Sequence, residues 1–300
     1  MIDEYLHPPD ADSAEFIRAQ LAGFICMADL AARQIGSKED ALHDFRVALR
    51  ALHSWLKAFA DTIHIETRVI RDISNLADAT NRSRDMEVFD QWLHRQITHK
   101  ALKPTLHYVS LIHDQLEQDR RSSIGRISTH WPAIKNSMQQ ALKPTGHSNA
   151  KAAFIHHVQP VLKLRLSRLS DQVSQIISAK ESKKSQKKLH KCRITIKQMR
   201  YLLEPFKAGN SHCKQSVHDL KRLQDQLGTC HDLFVFTATL QLAISQYANL
   251  DTLIESAERQ RRNCFAGLHA HYFTPPMAWL TRLETVIIAN EGIDMQQRQS

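Results

Sequence analysis

The sequence predicts an all-α protein built from two related helical halves, and three observations carry that prediction. First, 300 residues contain only 8 glycines and 9 prolines, too few for a turn-rich β protein. Strong helix formers such as Ala, Leu, Gln, Lys and Arg dominate instead. Second, apolar residues recur at helical spacing along most of the chain and lapse where breakers sit, at "QIGSKED", "LKPT", "HWPA" and "LKPTGHSNA". Third, "LHDFRVALRALHSWL" (42–56) is written again, in the same register, as "LHKCRITIKQMRYLL" (189–203).

Taken in order, the first half predicts helices over about 13–34, 39–60, 66–81, 85–99, 103–122 and 130–142. The stretch 142–150 reads as a linker. The second half predicts helices over about 151–179, 185–207, 213–227, 232–247, 250–271 and 276–290. Amphipathic helices on short connections pack as antiparallel bundles. The expected architecture is therefore one domain, 1–300, made of two bundles (10–145 and 150–290) related by a pseudo-twofold axis.

The repeat has a constant offset of 147. It pairs Leu42 with Leu189, His43 with His190, Arg46 with Arg193 and Arg50 with Lys197, and runs on through Phe59 and Phe206. Farther on, "LADATNRSRDMEVF" (76–89) faces "LQDQLGTCHDLFVF" (223–236) without a gap. On a helix, positions 43, 46, 50 and 53 fall within about 80° of one another. Positions 190, 193, 197 and 200 do the same, giving a His/Arg/Lys stripe roughly 15 Å long in each half. Like charges at this spacing repel, and residues 183–200 hold eight Lys/Arg with no acid. A solvated face accounts for the lysine run "SKKSQKK" (182–188), but solubility does not call for a histidine at 43 and again at 190.

The formal net charge of +9 is unevenly placed. Residues 1–147 carry 18 Lys/Arg against 19 Asp/Glu, whereas residues 148–300 carry 22 against 12. Such a field attracts polyanions. Five scattered cysteines (Cys26, Cys192, Cys213, Cys230, Cys264) without a C-x-x-C read as reduced thiols rather than a disulfide framework or zinc ribbon. No run of eighteen apolar residues exists, and "MIDEYLHPPDADSAEF" lacks the order of a signal peptide. The expectation is a cytoplasmic protein.

At the repeated motifs the sequence resembles the CHAD family, the conserved histidine α-helical domain. The family pattern His-x-x-Arg-Val/Ile-x-x-Arg/Lys is met at His190, Arg193, Ile194, Lys197, Arg200 and Tyr201. Its downstream part is met at Leu220, Lys221, Leu223, Leu227, Gly228 and Asp232. The first half matches at His43, Arg46, Val47, Arg50, Arg84 and Asp85. The resemblance spans roughly residues 10–290. It implies two four-helix-bundle-like halves, basic residues lining a central groove or pore, and binding of inorganic polyphosphate, with association to polyphosphate granules or polyphosphate-metabolising proteins as a consequence. Ala51 and His53 stand where the family has arginine, Ser74 where it has lysine, and Asn81 in place of the glycine seen as Gly228. The second half is therefore expected to dominate.

The candidate polyphosphate-binding residues are His43, Arg46, Arg50, Arg84, His190, Arg193, Lys197, Arg200, Lys221 and Arg222. His53, Arg165, Arg168 and Lys187 are further candidates that ordinary helix-surface roles explain as well. Guanidinium forks suit phosphate oxygens, Lys197 adds a compact charge, and the histidines donate even when neutral. No catalytic residue, cofactor or metal is expected, and neither a membrane nor a specific nucleic acid. Asp85 and Asp232 read as helix-start caps or partners of the cations. The Glu-x-Glu-x-Lys motif of the triphosphate-hydrolysing CYTH domains often fused to CHAD regions is absent. "HDFRVAL" resembles a sensor-kinase phosphoacceptor helix but lacks its Thr-Pro-Leu continuation. Aromatic residues make up 7% and do not interleave with the cations, against base stacking. Among eighteen histidines, the adjacent His156/His157 and the i,i+2 pair His269/His271 diverge on a helix. The alternative left open is a general polyanion or nucleic-acid binder.

Overall fold

The structure is a computed structural model, and it describes residues 13–98, 106–142, 154–177, 183–208, 211–247 and 250–288. Every regular element among them is helical. In order these are α1 (Ser13–Gln34), α2 (Ala41–Ile63), α3 (Thr67–Ala79), α4 (Asn81–Thr98), α5 (Leu106–Ala141) and α6 (Phe154–Ile177). Then come α7 (Lys183–Leu203) with a 3-10 turn at Glu204–Phe206, α8 (Ser211–Ala243), α9 (Asp251–Tyr272) and α10 (Ala278–Ile288). The "LKPT" break and most of the 142–150 linker lie outside the described residues.

Two expected breaks are not breaks. Helix α5 runs through Pro132, and α8 runs through Gly228. The reason is visible in the burial phase. Ile127, Trp131, Ile134 and Met138 keep one buried stripe across the proline, while Pro132 and Ser128, whose carbonyl loses its helical donor, face solvent. In α8, Leu220, Leu223, Leu227, Cys230, Leu233 and Phe236 stay in phase across the glycine, and burial outweighs a propensity cost of about 1 kcal/mol. Asp232 therefore lies in mid-helix and caps nothing, and Asp85 lies inside α4, not at its start.

The chain divides into two compact units. One, here the α2 unit, comprises Leu21–Pro144 and Cys230–Asn263; the other, the α7 unit, comprises Met1–Gln20, Thr145–Thr229 and Cys264–Ser300. Helices α1, α8 and α9 thus contribute residues to both.

In the α2 unit, α2 buries Phe45, Leu49, Leu52, Trp55, Leu56 and Phe59, each contributing roughly 1.5–3 kcal/mol on leaving water. Phe45 meets Trp131 edge-on at 5.3 Å, and Trp55 packs between Phe24 and Phe59 at 6.0 and 5.1 Å. Asp29 on α1 accepts bonds from Lys135 (3.0 Å) and Trp131 (3.3 Å) of α5. Burial pushes the Asp29 carboxyl up, but the bonds from Lys135, Trp131 and Arg33 outweigh it and hold the group below its usual range. Phe89 and Trp92 of α4 pack on Phe236 of α8, and the Trp92 indole donates to Gln260 of α9 at 3.1 Å. The chain turns out of α1 at Gly36, whose φ of +93° is open to glycine, and out of α2 at His64, left-handed at φ 56°.

In the α7 unit, Leu189, Cys192, Ile196, Met199 and Leu203 make the buried stripe of α7, beside Leu162, Leu166, Leu169 and Val173 of α6. Phe16 stacks on Phe206 at 5.5 Å. The Arg282 guanidinium of α10 forks onto Asp219 of α8 at 2.9 and 2.5 Å. These contacts fix which face of α7 points away from the apolar core. All four tryptophans are buried.

Candidate functional site

The polar edge of α7 is set by its own period. With positions 189, 192, 196, 199 and 203 turned inward, His190, Arg193, Lys197 and Arg200 stand in line at the half-buried border. Their proximity is expressed electrostatically. Burial first, then the charges of Arg193 and Lys197, hold the pKa of His190 below the usual histidine range and so favour its neutral ring. From α6, Arg165 is half-buried and donates to Gln198 of α7. Burial and then neighbouring Arg168 lower its pKa. From α8, Gln224 accepts a bond from Arg200 Nε at 3.1 Å. Arg200 also lies over the Tyr201 ring at 4.5 Å and pairs with Glu204 Oε2 at 3.3 Å, while Lys207 holds the other oxygen of Glu204. Lys187, Arg168, Lys221 and Arg222 are exposed. The α7 unit thus brings the Arg165 guanidinium of α6 and the Gln224 amide of α8 to the cationic line of α7.

The corresponding edge of α2 is built differently. His43 is exposed, Arg50 and His53 are half-buried, and Arg46 is 3% exposed. The Arg46 guanidinium donates to Ser83 of α4, which shares a 2.9 Å bond with Ser123 of α5, and lies 3.8 Å from Glu87. Arg50 donates to Asn81 at 2.6 Å, and Arg84 donates to Glu87 at 3.0 Å. Burial lowers the Arg46 pKa to about 10. Glu87 opposes that shift, the charges of Arg50 and Arg84 add to it, and Asp85 works against it. Two guanidiniums, those of Arg46 and Arg84, therefore meet one carboxylate, and Arg50 adds its charge from its place on Asn81.

Of the candidate residues, interactions link Arg46, Arg50 and Arg84 in one cluster, His190 with Arg193 and Lys197 along α7, and Arg165 with Arg168 along α6. His43, Lys187, Lys221 and Arg222 are exposed on their helices. The sequence reading did not single out Gln198, Gln224, Ser83, Ser123, Glu87 or Glu204, the neutral and acidic side chains that orient the cations. Asn81, read as a departure that weakens the first half, is the acceptor of Arg50. The polar run "NRSRD" (81–85) at the start of α4 was the available signal, since a helix with Ser83 turned inward needs a buried donor nearby.

Among the described residues no group of three or more His, Cys, Asp or Glu is arranged to hold a metal ion. The side chains of His156 and His157 lie outside the described residues. None of the five cysteines is in a disulfide. Burial pushes the thiols of Cys192 and Cys213 up to about 12, with Glu204 adding to the shift at Cys213. No helix among the described residues is long and apolar enough to cross a membrane.

The chain's fold is similar to that of solved structures. The crystal structure of the CHAD domain from the plant Ricinus communis matches with a TM-score of 0.66 at 20% identity, over 96% of this chain and 94% of that one. PptA from Streptomyces chartreusis matches with a TM-score of 0.55 at 15% identity, over 96% of this chain and 100% of that one. No curated protein matches the chain. The profile of the CHAD domain matches residues 16–241.

Proposed function

The chain belongs to the CHAD domain family, and on that premise we propose that it binds inorganic polyphosphate without turning it over, chiefly through the α6–α7–α8 face. The observation that carries this reading is the line of His190, Arg193, Lys197 and Arg200 along α7, which Arg165 reaches from α6. Arg168, Lys221 and Arg222 are proposed to flank it. A phosphate chain offers about one negative charge per unit and no base edges. Closely spaced cations and donors that hold oxygens in any register are what such a ligand needs.

Binding rather than hydrolysis is the better fit to the side chains at this face. They are cations and amides, and the carboxylate among them, Glu204, already pairs with Arg200 and Lys207. The α2 face, with His43, His53, Arg46, Arg50 and Arg84, is proposed as the weaker contributor. Cytoplasmic location, recruitment to polyphosphate granules and partnership with polyphosphate-metabolising proteins are proposed on the same basis. No cofactor, metal, membrane or specific nucleic acid is invoked.

Calorimetric titration with long-chain polyphosphate at two salt concentrations tests the reading, with DNA as competitor. Binding should weaken steeply with salt through counterion release. Arg193→Ala/Lys197→Ala should lose more affinity than Arg50→Ala/Arg84→Ala, each with an unchanged circular dichroism spectrum. A wild type that ignores polyphosphate, or gives it up to DNA at equal phosphate concentration, overturns the proposal and leaves a general polyanion binder.

A further inference from the structure

Each cationic face contains a carboxylate that the repeat does not account for. At the α7 face it is Glu204, the sole acid in the sequence from residue 183 to residue 218. It is 33% exposed, 3.3 Å from Arg200 and paired with Lys207. At the α2 face it is Glu87, 38% exposed, 3.0 Å from Arg84 and 3.8 Å from Arg46. At the offset of 147 these positions face Lys57 and Phe234, so neither glutamate is a copy of the other. The repeat writes the cations twice, and each face meets them with a carboxylate from its own site.

We infer that Glu87 and Glu204 are internal anions that occupy the arginine clusters in the free protein and set its preference for long polyanions over short ones; this deepens the proposed function and rests on it. The carboxylates are exposed enough to swing away, and the 3.8 Å approach of Glu87 to Arg46 is longer than a hydrogen bond. A carboxylate tethered to the same fold competes with ligand at a high effective concentration. A short anion engages few cations and must displace that carboxylate or sit beside it. A long phosphate chain holds the remaining cations at the same time, so giving up one contact costs it a smaller part of its binding. The two glutamates thereby filter by chain length without a size-limited pocket.

The test compares tripolyphosphate with long-chain polyphosphate on the full chain. Glu87→Gln and Glu204→Gln keep an oxygen that accepts from arginine, so the local bonding and the fold are retained. Glu87→Asp and Glu204→Asp keep the charge. In the double glutamine variant, tripolyphosphate affinity should rise about five- to tenfold, the scale of one removed like charge near a surface site. Long-chain affinity should rise less, so the ratio between the two falls, while the aspartate variants keep the wild-type ratio. A ratio unchanged in the glutamine variants, or affinity lost for both ligands, overturns the inference and makes the glutamates positioning residues for the arginines. A wild type that does not bind long-chain polyphosphate overturns the proposed function, and this inference with it. The two failures are told apart by the wild-type titration alone.

Discussion

Replacing Arg46 with methionine should stabilise the protein while weakening it as a binder. The arginine is 3% exposed, and its pKa is lowered from 12.5 to about 10, with burial the largest cause. At 1.36 kcal/mol per unit, keeping the charge in that position opposes folding by about 3 kcal/mol at neutral pH. Methionine fills a similar volume and carries no charge. The bond to Ser83 is lost, costing about 1 kcal/mol, but Ser83 keeps Ser123 and the Thr80 carbonyl as partners, and Glu87 keeps Arg84. The net expectation is a gain of about 2 kcal/mol, in line with apolar replacement of other buried ionic groups. That corresponds to a rise in melting temperature of about 3 °C for a chain of this length. Guanidinium denaturation and differential scanning calorimetry read the stability, and titration with polyphosphate reads the binding. A variant less stable than wild type by about 2 kcal/mol or more refutes the reasoning. Arg46 would then be a structural link among α2, α4 and α5, not a charge retained against stability.

Four further outcomes follow from the geometry. His190 has a folded pKa below 6.5, so the unfolded chain takes up its proton first; the stability present above pH 6.5 is lost as pH falls through that value, and His190→Gln should remove its share of the loss. A phosphate chain at the same face would raise that pKa, so binding near pH 6.5 should take up protons, read as a buffer-dependent calorimetric enthalpy that His190→Gln abolishes. Gly228 sits inside α8 with nothing within 4 Å of where a Cβ would stand, so Gly228→Ala should add about 0.5–1 kcal/mol in chemical denaturation. His64→Gly at the left-handed end of α2 should add up to about 1 kcal/mol by the same assay, because the conformation disfavours a side chain.

The helices were legible because each writes its own period, and the stripe on α7 was legible because Cys192, Ile196 and Met199 are buried between its members, with Thr195 the one polar residue among them. The merging of 103–122 with 130–142 was not. Proline ends a helix by removing a donor, and only the exposure of Ser128 and the unbroken phase of Trp131 and Ile134 show that here it does not. The same limit hid the state of Arg46. In sequence it matches Arg193, and nothing local to 42–56 tells a half-buried arginine from one closed over by α4 and α5. That difference is made by Ser83, Glu87 and Ser123, residues 37 to 77 positions away whose own neighbourhoods read as ordinary helix surface.

Those distant partners explain why two copies of one motif need not act alike. In the register of the repeat, Ser83 faces Cys230, Asn81 faces Gly228, and Glu87 faces Phe234. Each acceptor that engages Arg46, Arg50 or Arg84 in the α2 unit is thus matched by a residue without a polar side-chain acceptor of that kind. The excess charge of the second half acts in the same direction, since residues 183–222 hold twelve Lys/Arg against two acids, Glu204 and Asp219, and Asp219 is taken by Arg282. A cation already bonded to fixed internal acceptors gains less from an incoming phosphate, because the new bond replaces an old one. The α7 face has acceptors of its own, Gln198 for Arg165 and Gln224 and Glu204 for Arg200. The expected inequality of the two faces therefore has two separable sources, the number of cations and the depth at which Arg46 is buried, compared with the half-buried line of α7. Restoring basic residues at Ala51 or Ser74 would change only the first of these. As long as Arg46 stays buried against Ser83, added charge on the α2 face should recover only part of the affinity that the α7 face provides.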